Sequence, residues 1–481
     1  MMDIVFVLLL LCLSLWQQYA PLTWKKRLLY LTTLLLVVHI SVRGRWQFIP
    51  AYMVIVGLLL LGLVAAASPA TSAAGRQSAF SRWTSKRWVK AIGMVVASLL
   101  VLKSSLFLWI FPNIVFPQPT GAWAVGTTLE RADDVSIRLW YPAALQVNAV
   151  PYPYLSGADI PTMTALAYSH LQKPTAAFVD VPLADGLSPL PVVLYDYGAG
   201  SFREDNTFRM IELASHGFVI AAIAHPKHFF DYNIPTEVTQ EPAQFREQLN
   251  TRVFPDRLRD IRLALQKLEQ LNGPESRFGG KLNLQHFGMM GFSLGGSVAL
   301  EYSLEDPRCG AVVNLDGGML GNARKGVNSS FLQLSQSALL PLEPNQSPQA
   351  VAEKTGEYYR QEVSDLVRHT QPLQSAAYWL RVHDSGHMAF SDLARWTPAR
   401  FGPLRTMIGT GDVDAIARVI DEVTLAFFKD HLLNTAADET RTDHPSHDAY
   451  LQAAIQQHQA FLSPMELVAS HAEAKQLTAA Q

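Results

Sequence analysis

The segment with the clearest chemical meaning is Gly291-Phe292-Ser293-Leu294-Gly295, in which a glycine stands two positions before the serine and another two positions after it. The apolar residues 287–290 before it predict a buried strand, and residues 297–302 after it predict the start of a helix. A strand-to-helix turn this tight leaves room only for glycine and pushes the hydroxyl out above the sheet. The pattern therefore predicts that Ser293 is a nucleophile exposed on a sharp turn, the elbow (residues 291–295).

A serine hydroxyl is neutral at pH 7 and needs a base to become a nucleophile. Asp316 ends the predicted strand 309–315, and His387 follows Gly386 in a loop after another predicted strand, 376–382. The histidine would take the hydroxyl proton, and the aspartate would hold the imidazole in the correct tautomer. Since carboxyl ends of parallel strands meet at one edge of a sheet, the chain order serine, aspartate, histidine predicts a catalytic triad.

Both assignments have competitors. Asp306 and Asp384 are alternative acids, and Asp316 is preferred because it directly ends the strand after the elbow. His383 is an alternative base, but it lies within the predicted strand, whereas His387 follows it. The two histidines also have the i, i+4 spacing of a helical metal site. The strand before them and the glycine between them argue against a helix, so no metal is predicted.

The developing negative charge in acyl transfer needs two backbone N–H donors already in place. One is expected from Leu294, the residue after the nucleophile. The other is expected from Ala199 in the turn Gly198-Ala199-Gly200, which follows the predicted strand 191–196. A tight turn without a function is the alternative interpretation of these glycines. A phosphate-binding loop is not predicted, because no Gly-Lys-Ser/Thr follows.

The elements that must position these residues alternate between strands and helices. Further strands are predicted at 135–141 and 218–224, and helices at 211–216, 252–271 and 415–432. This alternation predicts an α/β fold with a mostly parallel, doubly wound sheet over residues 117–436. His225 and His228 are expected to border the pocket, and residues 318–375 are a candidate lid. A polar tail is predicted for residues 437–481.

The first 116 residues are far more apolar than the rest. Stretches with little or no charge cover 4–24, 28–42, 46–75 and 91–116. Since about 20 apolar residues span a hydrocarbon layer of ~30 Å, they predict a bundle of about four transmembrane helices, the second of them short. A cleaved signal peptide is the alternative for the first stretch, but a basic segment before it is lacking.

Basic residues predict how this region would be oriented. Residues 25–27 are all basic, and several more basic residues lie between 76 and 90, whereas only Arg43 and Arg45 occupy the opposite side. Because basic loops stay in the cytoplasm, the expectation is a multi-pass integral membrane protein with its catalytic domain on the extracytoplasmic side.

Composition excludes some classes of function. The net charge of −2 and the scattered basic residues offer no surface for nucleic acid. The two cysteines, Cys12 and Cys309, cannot form a disulfide framework. The partner expected instead, from the predicted triad and the apolar N-terminal region, is a small-molecule ester or a lipid.

These motifs together resemble the platelet-activating-factor acetylhydrolase group of α/β-hydrolases, which is related to lipases and dienelactone-hydrolase-like esterases. The matching segments are 198–203, 213–219, the elbow and 315–317, within a similarity that covers about 120–432. The resemblance implies an α/β-hydrolase fold. It carries Ser293, Asp316 and His387 over as the triad, with Ala199 as an oxyanion donor. It also implies a calcium-independent serine esterase, with no cofactor, that removes short or oxidised acyl chains from lipids.

The chain departs from this group in places. Phe292 and Tyr197 stand where animal members carry histidine, and the apolar N-terminal region has no counterpart in them. The sequence therefore predicts a serine hydrolase of carboxylic esters that works through an acyl-enzyme. Two alternatives stay open: acyl transfer to an acceptor other than water on the same triad, and an inactive domain that serves as a membrane-bound sensor or scaffold.

Overall fold

The computed structural model describes residues 9, 10, 12–14, 16, 22–43, 49–67, 99, 115–155, 173–187, 189–235, 242–337, 376–396, 402–433 and 448–464. The chain divides into two compact units, residues 1–113 and 114–481. In the first unit, helix α1 covers Leu22–Arg43 and helix α2 covers Ile49–Ala67. The two helices pack through an apolar cluster that includes Leu29, Leu36, Ile55 and Leu59.

The membrane prediction is contradicted by these helices. Over the part of the chain that the structure describes, no helix combines the length and the apolar character needed to cross a bilayer. In α1, residues 25–27 and Arg43 are basic, so every 18-residue stretch of that helix carries three charges that hydrocarbon would disfavour. Most of the expected spans 4–24 and 91–116 lies outside the described residues. The expectation of a multi-pass protein with an extracytoplasmic catalytic domain was wrong.

The second unit contains a sheet that is eleven-stranded over the described residues. Its strands are β1 Ala124–Ala132, β2 Val135–Ala143, β3 Pro151–Pro153, β4 Pro174–Val179, β5 Leu190–Asp196, β6 Val219–Ala224, β7 Leu282–Phe292, β8 Cys309–Leu315, β9 Ser330–Gln336, β10 Ala377–Val382 and β11 Leu462–Pro464.

The helices of this unit alternate with the strands. They are α3 Thr207–Ser215, α4 Pro242–Gln248, α5 Phe254–Leu271, α6 Leu294–Glu305, α7 Leu393–Trp396, α8 Gly402–Ile408, α9 Val413–Phe428 and α10 Ala449–Gln457. Short 3-10 turns cover Phe229–Tyr232, Ala323–Lys325 and His387–Phe390, and π turns cover Leu249–Val253 and Lys429–Leu433.

The strand order is β11-β10-β9-β8-β7-β5-β6-β2-β1-β4-β3. From β10 to β6 all neighbouring strands are parallel, whereas β2 and β11 pair antiparallel with their inner neighbours. The mostly parallel sheet confirms the predicted fold class and fits the α/β-hydrolase fold. Because the central strands run in one direction, the loops after β5, β7, β8 and β10 emerge at the same edge.

Helices cover both faces of the sheet. In β5, Val192 and Leu194 belong to the apolar core beneath α5 and α6, whereas Val193 and Tyr195 belong to the core beneath α3 and α9. A strand buried on both faces has apolar residues at successive positions rather than at alternate ones. This burial explains why the central strands are visible in the sequence as continuous apolar runs.

Two segments whose secondary structure the sequence left undefined contribute strands to the sheet. Within the candidate lid, Ser330–Gln336 is a parallel strand between β8 and β10, and residues 338–375 lie outside the described residues. Within the predicted polar tail, residues 448–464 contain α10 and β11. Leu451 of α10 is fully buried, and Leu462 of β11 is paired with Val382. These residues extend the sheet edge next to β10, the strand that leads to His387.

Candidate active site

Ser293 lies between β7 and α6 in a backbone conformation that is unusual for a residue with a side chain. Its φ is 55° and its ψ is −121°. A conformation of this kind costs roughly 1–3 kcal/mol and persists only where its surroundings enforce it. The Ser293 N–H donates to the Leu315 carbonyl at 2.9 Å, and the Ser293 carbonyl accepts from the Gly296 N–H at 3.0 Å. These bonds hold the serine at the top of the sheet.

The glycines of the elbow are required by close backbone contacts. A Cβ at Gly291 would overlap the backbone of Gly295, one turn further along the chain. A Cβ at Gly295 would in turn overlap the carbonyl of Asp196 at the end of β5. The tight turn that the sequence predicts is therefore also the point where α6 approaches β5.

The three side chains of the predicted triad meet at this edge of the sheet. His387 Nε2 lies 3.0 Å from Ser293 Oγ, and His387 Nδ1 lies 2.6 Å from Asp316 Oδ2. The His387 ring also packs against the Phe292 ring, with 4.9 Å between centroids. Because a carboxylate accepts from Nδ1–H, the lone pair at Nε2 is directed to the serine hydroxyl. This arrangement can remove the hydroxyl proton.

Asp316 is held by hydrogen bonds that its backbone and its side chain form with strand β9. It has a φ of 56°, and its N–H donates to the Leu334 carbonyl at 2.8 Å. Its Oδ1 accepts from the Gln336 N–H at 2.8 Å, which leaves Oδ2 for His387. Burial raises the pKa of the Asp316 carboxyl, and the hydrogen bonds from His387 and Gln336 work against that rise. The carboxyl is therefore fixed in position before any substrate arrives.

Asn314 holds the loop that carries Asp316, a contact that the sequence analysis did not foresee. Asn314 Oδ1 accepts from the Gly317 N–H at 2.8 Å, and Asn314 Nδ2 donates to the Gly317 carbonyl at 3.2 Å. A Cβ at Gly296 would overlap Asn314 Oδ1, so the same side chain contacts the first turn of α6. Asn314 thus connects the acid loop to the serine helix. Its signal in the sequence is a lone polar residue in the apolar strand β8.

The two predicted oxyanion donors lie near the serine. Leu294 is the first residue of α6. A Cβ added to Gly198 would lie 3.1 Å from the Cβ of Ser293, so the turn that contains Ala199 lies against the elbow. Leu294 and Ala199 therefore stay the predicted donors to a substrate oxygen.

The alternative acids and base have other partners. Asp306 is bonded to Arg308, with 2.7 Å between Oδ2 and Nη2. Asp384 Oδ1 accepts from a threonine hydroxyl at 3.2 Å. His383 Nε2 lies 2.9 Å from the hydroxyl oxygen of Ser463 on β11. Where side chains are described, no group of three or more metal-ligating residues is found.

His225, which was expected to border the pocket, is buried between two carboxylates. Its Nδ1 lies 2.8 Å from Asp260 Oδ2, and its Nε2 lies 3.1 Å from Asp196 Oδ1. Burial disfavours ionisation of Asp196, but the charges of Arg257 and His225 outweigh it and hold the pKa of that carboxyl below its usual value. His228 is exposed. The sequence analysis did not foresee this buried cluster.

Comparison with known proteins gives distant similarities. No protein-family profile matches the chain. A curated relative, the platelet-activating factor acetylhydrolase of Cavia porcellus, is 22% identical over 374 residues, which cover 69% of this chain and 81% of the relative. Among solved structures, a ferulic acid esterase from Streptomyces cinnamoneus aligns at a TM-score of 0.47 and 23% identity, covering 73% of this chain and 98% of that chain. Both similar proteins are named for the cleavage of esters.

Proposed function

We propose that this chain is an ester-hydrolysing enzyme that works through an acyl-enzyme on Ser293. The observation that carries the proposal is the position of the His387 ring, 3.0 Å from Ser293 Oγ on one side and 2.6 Å from Asp316 Oδ2 on the other. A base within hydrogen-bond reach of a nucleophile, itself oriented by a third group, is the arrangement that activates a serine hydroxyl.

Acylation begins when Ser293 Oγ attacks the ester carbonyl carbon. His387 Nε2 accepts the hydroxyl proton, and Asp316 stabilises the imidazolium that forms. The carbonyl oxygen becomes negative and accepts hydrogen bonds from the N–H groups of Leu294 and Ala199. The C–O bond to the alcohol then breaks, and the alcohol leaves with the proton held by His387.

Deacylation repeats these steps with water. His387 takes a proton from a water molecule, whose oxygen attacks the acyl carbon. The bond to Ser293 Oγ breaks, and the serine recovers its proton from the imidazolium. Every proton in this cycle moves through His387, so the mechanism uses neither a metal nor a cofactor.

The substrate class that we propose is carboxylic esters with a short acyl chain, including lipid esters. Two observations support it. The relative from Cavia porcellus is named as an acetylhydrolase of a platelet-activating factor. In addition, the Phe292 ring lies against His387, so the site has an apolar wall next to the reacting atoms.

The proposal is tested by labelling the full chain with a fluorophosphonate probe and by measuring hydrolysis of p-nitrophenyl acetate. We expect both signals in the unmodified chain and neither in Ser293→Ala. The matched control is Ser303→Ala, which removes a buried hydroxyl that donates to the Leu300 carbonyl on the same helix. This control should keep labelling and hydrolysis. Labelling that persists in Ser293→Ala would refute the assignment of the nucleophile.

A further inference from the structure

Four charged or ionisable side chains are buried directly behind the candidate active site. Asp196 is the last residue of β5, His225 follows β6, and Arg257 and Asp260 lie in the first turns of α5. All four side chains are at most 2% exposed. We call these four residues the charge cluster. None of them takes part in the proton transfers described above.

The members of the charge cluster are hydrogen-bonded to one another, and the half-exposed Arg259 also donates to Asp260, with 2.6 Å between Nη2 and Oδ1. Each ring nitrogen of His225 faces a carboxylate oxygen, at 2.8 Å for Asp260 and 3.1 Å for Asp196. Carboxylate oxygens accept hydrogen bonds, so both are suitable partners for an imidazole N–H. Arg257 Nη1 also donates to Asp196 Oδ1. The cluster thus fixes the side chain at the end of β5 from two directions.

The same residues hold Tyr197, the first residue of the turn that leads to Ala199. Arg257 Nη1 donates to the Tyr197 carbonyl at 2.6 Å. The Arg257 guanidinium carbon lies 4.8 Å from the centroid of the Tyr197 ring. The His225 backbone N–H donates to the Tyr197 hydroxyl at 3.3 Å. Tyr197 is therefore held at its carbonyl, its ring and its hydroxyl.

The backbone next to these contacts touches the elbow. A Cβ at Gly295 would overlap the Asp196 carbonyl and would lie 2.8 Å from the Tyr197 carbonyl oxygen. A Cβ added to Gly198 would lie 3.1 Å from the Cβ of Ser293, as described above. Rotation of the peptide after Tyr197 would therefore move the Ala199 N–H relative to the serine. We call residues 197–199 the oxyanion turn.

We infer that the charge cluster is a positioning device for the oxyanion turn, an inference that rests on the proposed function. Arg257 holds the turn by its hydrogen bond to Tyr197. Asp260 acts indirectly, because it orients His225, which in turn contacts Tyr197. The hydrogen bond from the turn strengthens as that oxygen becomes negative, so the cluster acts on the rate of the chemical step more than on substrate binding.

Stability alone does not account for the charge cluster. Taking ionised groups out of water costs free energy, and well-packed apolar side chains of the same volume often stabilise a protein as much or more. An apolar replacement would fill the space behind β5. It would not replace the hydrogen bond that Arg257 donates to the Tyr197 carbonyl.

The experiment compares two variants of the full chain with a control. Arg257→Lys keeps the charge but loses the guanidinium that bridges Asp196 and the Tyr197 carbonyl. Asp260→Asn is isosteric and provides a second variant that is expected to fold. The control is Arg262→Lys, also on α5, where the arginine forms a half-exposed pair with Glu305. Thermal unfolding shows whether each variant is folded. Titration with a fluorophosphonate counts the reactive active sites, and rates are expressed per active site.

Three quantities are measured with p-nitrophenyl acetate: kcat, KM, and the inhibition constant of an alkyl trifluoromethyl ketone, which forms a tetrahedral adduct bearing a negative oxygen. We expect kcat per active site to fall by about 10- to 100-fold in Arg257→Lys, less in Asp260→Asn and not in Arg262→Lys. KM should stay the same, and the inhibition constant should rise by the same factor as kcat falls. A purely structural role would lower the melting temperature without this parallel change.

An unchanged kcat per active site in both variants, or an effect confined to KM, would overturn the inference while the proposed function stands. Failure of the proposed function has a different signature. In that case the unmodified chain would show no hydrolysis that depends on Ser293, and the inference would fall with it.

Discussion

At the scale of single residues, the hydrogen bond between Asp316 and His387 decides which imidazole nitrogen is free to act as a base. The Asp316 carboxylate lies 2.6 Å from Nδ1. Because a carboxylate accepts hydrogen bonds and does not donate them, it favours the tautomer with the proton on Nδ1. An asparagine at this position can present its NH₂ group instead and so favour the opposite tautomer. The proton would then be on Nε2, the nitrogen that faces the serine.

We therefore expect Asp316→Asn to lower kcat for p-nitrophenyl acetate by on the order of 10³–10⁴, with little change in KM. The matched control is Asp306→Asn, since Asp306 is the competing acid and is bonded to Arg308 instead. Its kcat should stay within about twofold of the unmodified chain. The opposite ranking of the two variants would move the acid role away from Asp316.

At the scale of elements, the elbow depends on the contact between α6 and β5. A Cβ at Gly295 would overlap a main-chain carbonyl, and main chain in a buried strand cannot move aside as a flexible side chain can. We expect Gly295→Ala to lower the free energy of unfolding by about 3 kcal/mol or more and to abolish hydrolysis. Denaturant unfolding and the ester assay measure both effects.

Gly318→Ala is the control for this prediction. A Cβ at Gly318 would have no atom within 4 Å, and its φ is not in the left-handed region. Its free energy of unfolding should change by less than about 1 kcal/mol. Equal losses in the two variants would contradict the packing account of the elbow.

The elements also explain how much of the fold could be predicted from the sequence. β5, β6, β8 and β10 are nearly continuous apolar runs because both of their faces are buried. β9 was missed because Gln333 and Ser335 interrupt its pattern. Both side chains are buried and hydrogen-bonded to each other, and Ser335 also accepts from Trp379 Nε1 at 2.9 Å. In the sequence, buried polar residues that hydrogen-bond to each other give the same pattern as the polar residues of a loop.

The candidate site follows the same logic. Ser293, Asp316 and His387 could be proposed from the sequence because each follows a strand that the sequence reveals, and the assignment of their roles stays a prediction. The charge cluster was not, because Arg257 and Asp196 are 61 positions apart and meet only when α5 packs beneath β5. Nothing local to either residue indicates its partner.

At the scale of the whole molecule, two buried carboxyls link stability to pH. Burial raises the pKa of Asp205 to about 7 and that of Asp392 to about 7. The backbone N–H of Asp392 donates to the backbone carbonyl of Asp205 at 2.7 Å. The two residues therefore join the start of α3 to the segment after His387. In the unfolded chain both groups lose their protons near pH 4. The folded state therefore binds more protons between about pH 4 and pH 7, and its stability falls as the pH rises through that window.

We expect Asp392→Asn to remove part of this fall. The free energy of unfolding of the variant, relative to the unmodified chain, should rise between about pH 4 and pH 7, by on the order of a few kcal/mol at most. Urea unfolding at several pH values measures the difference. Asp306→Asn is the control, because hydrogen bonds from Arg308 lower the pKa of that carboxyl and its effect on stability therefore lies below about pH 4. Parallel curves for Asp392→Asn and the unmodified chain would contradict the account.

The central claim is that an acyl group is carried on Ser293. The most direct measurement is mass spectrometry of the full chain, quenched in acid within milliseconds of mixing with p-nitrophenyl acetate and then digested. The account predicts one acetyl group on the peptide that contains Ser293, and its absence in Ser293→Ala. An acetyl group on another residue in the unmodified chain, or turnover of the ester with no acetylated peptide under any quench time, would contradict it.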